Sequence, residues 1–330
     1  MKVGVVGAGG VGKRRAAIVA EDAGATLAVV VDIDAERARA VADAHDAEAA
    51  TDWRAVVARP GLDVIIVSAS NDLHAPIAIA AMEAGKHVLV EKPLARTPDE
   101  AQTIVAAAAR TGRVCQTGFN HRFFPAVWRA HERVRAGEFG RVLWLRGRYG
   151  HRGTYAIDKG WFVQPQVSGG GTFLDNGVHF LDLFRWFLGD FVEASGFVGT
   201  LYWDRIAPVE DNGFGAFRTG DGRVAALHAS WTQWASIFSL EIGCAGGILH
   251  CSSGTKLDVQ KRGATWDALE LATEDFQVAT DASWRADWRE FCAAIAEGRA
   301  PLATATDGWQ AVRMAYAVYA ASRTGMTQRL

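Results

Sequence analysis

Two hydrophobic patterns divide the chain near residue 120. Before it, short and nearly continuous apolar runs (Val3–Val6, Leu27–Val31, Asp63–Val67, His87–Val90 and Val114–Phe119) alternate with helix-forming segments (Val11–Asp22, Ala35–Ala44, Trp53–Ala58, Leu73–Ala84 and Pro98–Arg110). A strand that is apolar throughout is buried on both faces, which predicts a parallel sheet with helices outside it. Right-handed crossovers then make the sheet doubly wound.

After residue 120 the pattern changes. A helix over Ala126–Arg135 leads into a strand at Val142–Tyr149. The glycine turn Ser168–Gly171 opens a long helix running to Leu188. Strands follow at Val192–Trp203, Asn212–Phe217, Arg223–Trp231, Ser239–Cys244, Ile248–Cys251 and Lys256–Gln260, punctuated by Gly-Gly and Asp-Gly turns that suit antiparallel hairpins. Helices at Trp284–Glu297 and Thr306–Ala321 close the chain. The expectation is an α/β domain over residues 1–120 and an α+β domain over 121–330 with a large, open, mostly antiparallel sheet. One face of that sheet packs on helices. The aromatic load of the domain (Trp144, Trp203, Trp231, Trp234) places a partner subunit on the other, as a homodimer or homotetramer.

Composition narrows the class. The chain has 330 residues, 49% hydrophobic content and a net charge of −2, as expected for a folded, soluble protein with two cores. The near-neutral balance gives no electrostatic case for nucleic acid or an anionic membrane. No apolar run reaches the length of about 18 residues that a membrane span needs. The N-terminus enters a strand at once, leaving no room for a leader segment. The four cysteines, Cys115, Cys244, Cys251 and Cys292, lack metal-binding spacing, so no metal is expected and a reducing, cytoplasmic setting fits. Only seven of the 35 basic residues are lysines, which makes each lysine in an apolar context more informative.

Three segments carry chemistry. Gly7, Gly9 and Gly12 spell G-x-G-x-x-G between the first strand and the first helix, with Gly10 and Val11 completing the turn. Asp32 ends the second strand. The glycines permit a tight turn, close approach of a pyrophosphate and close helix–strand packing. The helix N–H groups bind the anion. Asp32 would accept the ribose hydroxyls and repel a 2′-phosphate, favouring NAD over NADP. Second, Lys92 lies in Glu91-Lys92-Pro93 at the carboxyl end of a strand, where open parallel sheets bind ligands. Third, Asp175 and His179 stand four residues apart on the predicted long helix, a spacing at which a carboxylate can orient an imidazole. Asp182 reads as a structural pair or cap. At the end of the fifth strand of the first domain, Asn120 and Arg122 beside phenylalanines suit a cleft wall.

With these segments in place, the chain resembles the Gfo/Idh/MocA family, named for glucose–fructose oxidoreductase, inositol dehydrogenase and a rhizopine-catabolism protein. The likeness runs over essentially the whole sequence. It includes Asp63–His74, Ala84–Pro93, Gly118–Arg122, the Gly169–Asp182 helix and the ending from Trp288 to Gly325. Ser68-Ala69-Ser70 replaces the commoner Thr-Pro turn. The resemblance implies a Rossmann domain that binds NAD through the glycine turn and Asp32. Ser68, Ala69, Ser70, Asn71 and His74 would line the nicotinamide side, with Glu91, Lys92 and Asn120 completing the cofactor site.

The resemblance also implies a catalytic triplet, Lys92, Asp175 and His179, acting on a secondary hydroxyl of a sugar or polyol. His179 held by Asp175 is the first choice as base, with Lys92 as the alternative proton acceptor. The second domain offers further substrate contacts: Arg122, and Tyr149, His151, Arg152, Tyr155, Lys159 and Trp161 on a loop that could cover the site. The rival readings are an NAD-dependent glycosidase, a keto-sugar reductase and a non-catalytic NAD-binding regulator.

Overall fold

The computed structural model describes residues 1–153, 157–265 and 267–330. The chain divides into two compact units. The first comprises Met1–Phe119, Gln166–Gly169 and Trp284–Val312; the second comprises Asn120–Pro165, Gly170–Ser283 and Arg313–Leu330.

The first unit is built on six parallel strands: β1 (Lys2–Val6), β2 (Thr26–Val31), β3 (Glu48–Ala50), β4 (Val64–Val67), β5 (His87–Val90) and β6 (Cys115–Thr117). Their order, β3-β2-β1-β4-β5-β6, is the doubly wound arrangement expected from the apolar runs, with its reversal between β1 and β4. The edge strand β3 lacks an apolar run and was not expected; its residues are largely exposed.

The sequence division at 120/121 needs one correction. Trp284–Val312 belongs to the first unit, because Trp288 and Phe291 pack into the same core as Val5, Val30, Ile66 and Leu89. The same segment protects the edge of β6, where the Thr117 N–H donates to the Ala303 carbonyl at 2.9 Å.

The second unit holds nine strands: β7 (Val142–Gly150), β8 (Phe191–Gly199), β9 (Asn212–Thr219), β10 (Val224–Ser230), β11 (Ile237–Cys244), β12 (Gly247–Ser253), β13 (Lys256–Arg262), β14 (Leu269–Asp275) and β15 (Gln328–Arg329). They are ordered β14-β13-β12-β11-β7-β10-β9-β8-β15 and are antiparallel except for β7 with β10. The unexpected strand β14 is exposed along most of its length and so shows no apolar alternation.

One sheet face receives helix side chains through glycine slots. A Cβ on Gly147 would stand 2.3 Å from the Phe180 ring, and one on Gly213 2.5 Å from Phe173. On the opposite face Phe197 and Phe214 are cross-strand partners and both are exposed. That face also carries charge, including the Arg146–Glu241 pair at 2.7 Å. No described helix is long and apolar enough to cross a membrane.

The predicted long helix is two pieces, Thr172–Asp175 and Gly177–Leu188. The His179 N–H donates to the Asn176 carbonyl at 3.3 Å, a three-residue closure at the step where the ladder breaks. Asn176 and Gly177 are weak helix formers. The Asn176 side chain also turns back to donate to Thr172 Oγ1 at 3.2 Å.

Candidate active site

The glycine turn has a shape that only glycine permits at two points. Gly7 has φ +98°, and a Cβ there would fall 2.4 Å from the Ser68 carbonyl oxygen of the β4 turn. A Cβ on Gly12 would fall 1.7 Å from the Gly7 carbonyl oxygen, so the helix start lies directly on the end of β1. Gly9 and Gly10 face open space. The helix Gly10–Ala20 has no side-chain cap and no acid in its first turn. Its first N–H groups are therefore available to an anion, which fits the pyrophosphate of a dinucleotide. Asp32 lies at the tip of β2, where it accepts from Ala8 N–H at 2.8 Å and from Asp34 N–H at 3.0 Å. The half-exposed Arg37, which carries no signal in the sequence pattern, stands 3.6 Å from its carboxylate.

Beyond β5 the segment Glu91-Lys92-Pro93 turns away from the sheet with a cis Lys92–Pro93 peptide. Lys92 is half-buried. Glu91 was expected on the cofactor, but it is 4% exposed and accepts from Arg15 Nε at 2.8 Å. Its carboxylate is thus turned inward toward a buried guanidinium. His74 was expected to line the pocket and instead acts as an internal tie. It is 1% exposed, with Nδ1 2.9 Å from the Pro93 carbonyl and Nε2 3.1 Å from the Ala69 carbonyl. Burial pulls its pKa below the usual imidazole value, against the pull of those two carbonyls. Ser70 Oγ donates to Asp72 at 2.6 Å, and the Asn71 amide donates to the Ser168 carbonyl at 2.8 Å.

In the second unit Asp175 ends the short helix and His179 lies in the first turn of the next, 5% exposed. His121, a residue outside the expected site, stacks on His179 with ring centroids 3.6 Å apart. Tyr149 stands edge-on to the same imidazole at 6.2 Å, and its hydroxyl is 3.5 Å from His121 Nε2. Burial pushes the Tyr149 phenol above its ordinary pKa, and the Asp175 charge adds to the shift. The signal that could have found His121 was its position between Asn120 and Arg122, but one histidine beside aromatics does not reveal its stacking partner.

The other expected substrate residues differ in burial and partners. Arg122 is 3% exposed and forms a two-pronged pair with Asp182, Nε–Oδ2 at 2.8 Å and Nη2–Oδ1 at 2.5 Å. It is a structural ion pair, and Asp182 is its partner, as a structural reading of Asp182 anticipated. Asn120 is buried and donates to Ser283 Oγ at 3.0 Å. His151 is exposed and accepts from Gly153 N–H, Arg152 and Lys159 are exposed, and Trp161 is 42% exposed. Tyr155 lies outside the described residues.

Residues 1–119 match the model of the GFO_IDH_MocA oxidoreductase family, NAD-binding Rossmann fold, and residues 127–250 match the GFO/IDH/MocA C-terminal domain. The chain belongs to the Gfo/Idh/MocA oxidoreductase family. Like the family, it binds NAD(H) through its N-terminal unit. A levoglucosan dehydrogenase from Pseudarthrobacter phenanthrenivorans is 35% identical over 52% of this chain and 45% of its own length. A 1,5-anhydro-D-fructose reductase from Ensifer adhaerens is 28% identical over 99% of this chain and 98% of its own. Among solved structures, a levoglucosan dehydrogenase in complex with NADH superposes with a TM-score of 0.92 at 25% identity, covering 100% of this chain and 98% of that one.

Proposed function

We propose that this Gfo/Idh/MocA protein transfers a hydride between NAD and a secondary hydroxyl carbon of a pyranose or cyclic polyol. Lys92, Asp175 and His179 carry the reaction. The observation that carries the reading is Lys92 at the carboxyl end of β5, in the same sheet as β1, whose following helix has an uncapped start that would receive a dinucleotide's pyrophosphate. NAD, when bound, accepts or returns the hydride at its nicotinamide ring. His179 takes the hydroxyl proton as oxidation proceeds. Lys92 donates a hydrogen bond to the same oxygen and stabilises the charge that develops there. Asp175 supplies negative charge four residues before His179, across the break at Asn176.

Asp32 supports NAD over NADP, since its carboxylate would repel a 2′-phosphate; about 1.4 kcal/mol of repulsion already gives tenfold selectivity. The exposed Phe197 and Phe214 support a homodimer or homotetramer through the open sheet face, which light scattering reads directly. Free cysteines at positions 115, 244, 251 and 292 support a reducing, cytoplasmic compartment.

The test supplies NAD with levoglucosan, myo-inositol and D-glucose and follows NADH absorbance. Turnover should fall about 100-fold or more in Lys92→Met and His179→Ala, as loss of an acid–base group predicts. Wild-type turnover in both variants would overturn the assignment. The reductive direction has its own support in the full-length match to a 1,5-anhydro-D-fructose reductase. NADH consumption with that ketose tests it.

A further inference from the structure

A buried ion cluster lies behind Lys92. Arg15, from the helix that follows the glycine turn, is 1% exposed. Its Nη2 lies 2.7 Å from Glu91 Oε1 and its Nη1 2.6 Å from Asp287 Oδ2. The Trp284 ring lies over the guanidinium at 4.5 Å. Asp287 is 0% exposed, and its second oxygen accepts from Gln116 Nε2 at 2.9 Å. One cation therefore spans two carboxylates from distant parts of the sequence, and one of them immediately precedes Lys92.

The residue on the other side of Lys92 is also tied, through the Pro93 carbonyl on His74. Glu91 N–H donates to the Val67 carbonyl at 2.9 Å, and Gly118 N–H donates to the Val90 carbonyl at 2.7 Å. A Cβ on Gly118 would fall 3.0 Å from Arg15 Nη2 and 3.1 Å from the Glu91 carboxyl carbon, so the cluster has little room to shift. Nothing in the core requires ions here, and desolvating three charged groups opposes folding. What the cluster supplies is direction: Arg15 can pull Glu91 inward only while Asp287, itself held by Gln116, keeps the far side of the guanidinium.

We propose that Arg15 and Asp287 are positioning residues for Lys92, aiming its ammonium through Glu91. The proposal rests on the role given to Lys92 above, and it brings the helix Ala282–Glu297 into the support of the site. Removing the Asp287 charge releases Arg15 from one side, lets Glu91 relax, and moves Lys92 off its aim. Misplacement of well under 1 Å already costs on the order of tenfold in rate.

The test compares Asp287→Asn and Arg15→Lys in the wild-type and Lys92→Met backgrounds, on protein shown to be folded by circular dichroism. NADH affinity by fluorescence should stay within about twofold, while kcat on the best panel substrate falls about tenfold. In the Lys92→Met background neither change should lower the residual kcat further, because a group acting only through Lys92 has nothing left to act on. A second readout needs no substrate. In protein whose lysines carry 13C-methyl groups, the Lys92 resonance should move in both variants while those of Lys159, Lys256 and Lys261 stay in place. Should one variant fail to fold, the other carries both readouts. An unmoved Lys92 resonance, unchanged kcat, or equal further losses in the Lys92→Met background would overturn the positioning role. Full turnover of Lys92→Met alone would overturn the catalytic reading instead.

Discussion

One added methyl group at Gly12 would meet backbone rather than a movable side chain, 1.7 Å from the Gly7 carbonyl oxygen. Gly12→Ala should therefore push the helix away from β1, lower stability by about 1–3 kcal/mol, and abolish NADH binding measured by fluorescence. Asp287 provides a pH signature. Burial pushes its carboxyl from 3.8 up to about 6, with Glu91 acting in the same direction and Arg15 and Gln116 against it. The folded chain then holds a proton that the unfolded chain has released. The site's contribution to stability accordingly falls as pH rises from 3.8 to about 6 and stays low above it. Asp287→Asn should remove a slope of up to about 1.4 kcal/mol per pH unit in that window, read from urea midpoints at several pH values. Legibility at this scale depended on whether a residue's role is local. The glycine turn and Asp32 announce themselves because their partners lie within one βαβ unit. The pairing of Arg122 was hidden because its partner Asp182 lies sixty positions away, and a charged residue at a strand end looks the same whether it faces ligand or a buried carboxylate.

Elements were legible where they alternate in hydrophobicity and obscure where packing overrides the pattern. The doubly wound parallel sheet followed from five continuous apolar runs, whereas β3, β14 and β15 offered no such run. The break at Asn176 was hidden by the apolar residues on both sides of it. The short helix before that break is held at its start by Glu210, which accepts from Gly171 N–H at 2.8 Å, Phe173 N–H at 3.0 Å and the Tyr319 hydroxyl at 2.8 Å. Burial raises the Glu210 pKa against those three donors. The carboxylate thus caps the short helix bearing Asp175, a role its own neighbours do not supply. Glu210→Ala should cost about 2 kcal/mol, the upper end for a helix cap, and lower kcat more than NADH affinity. Unchanged kcat in the folded variant would separate the cap from the chemistry. The conservative Glu210→Gln should recover part of the stability by keeping an acceptor for one N–H.

At the scale of the whole molecule, the two sheets were anticipated but their ownership of the C-terminal segment was not. Hydrophobic periodicity identifies the helix Ala282–Glu297 without saying which core receives Trp288 and Phe291. A chain ending at residue 283 should lose the cooperative unfolding of its N-terminal unit, because it would expose that core and leave Arg15 buried without Asp287. Adding the missing segment as a separate peptide should restore protease resistance to residues 1–119 if the docking is as tight as the buried ion pair implies.

The return of Trp284–Val312 to the first unit also sets the order of events during synthesis. The nucleotide-binding half is translated first, yet the helix bearing Trp288 and Phe291 leaves the ribosome only after eight of the nine strands of the second unit, β7 to β14. At about 5–20 residues per second, the nascent N-terminal half waits on the order of ten seconds with one sheet face lacking the cover of Trp288 and Phe291. Chaperone occupancy should concentrate on that face, and NAD should not bind stably to the growing chain until that helix has emerged. The order of the chain thus makes completion of the nucleotide-binding core wait on eight of the nine strands of the second sheet.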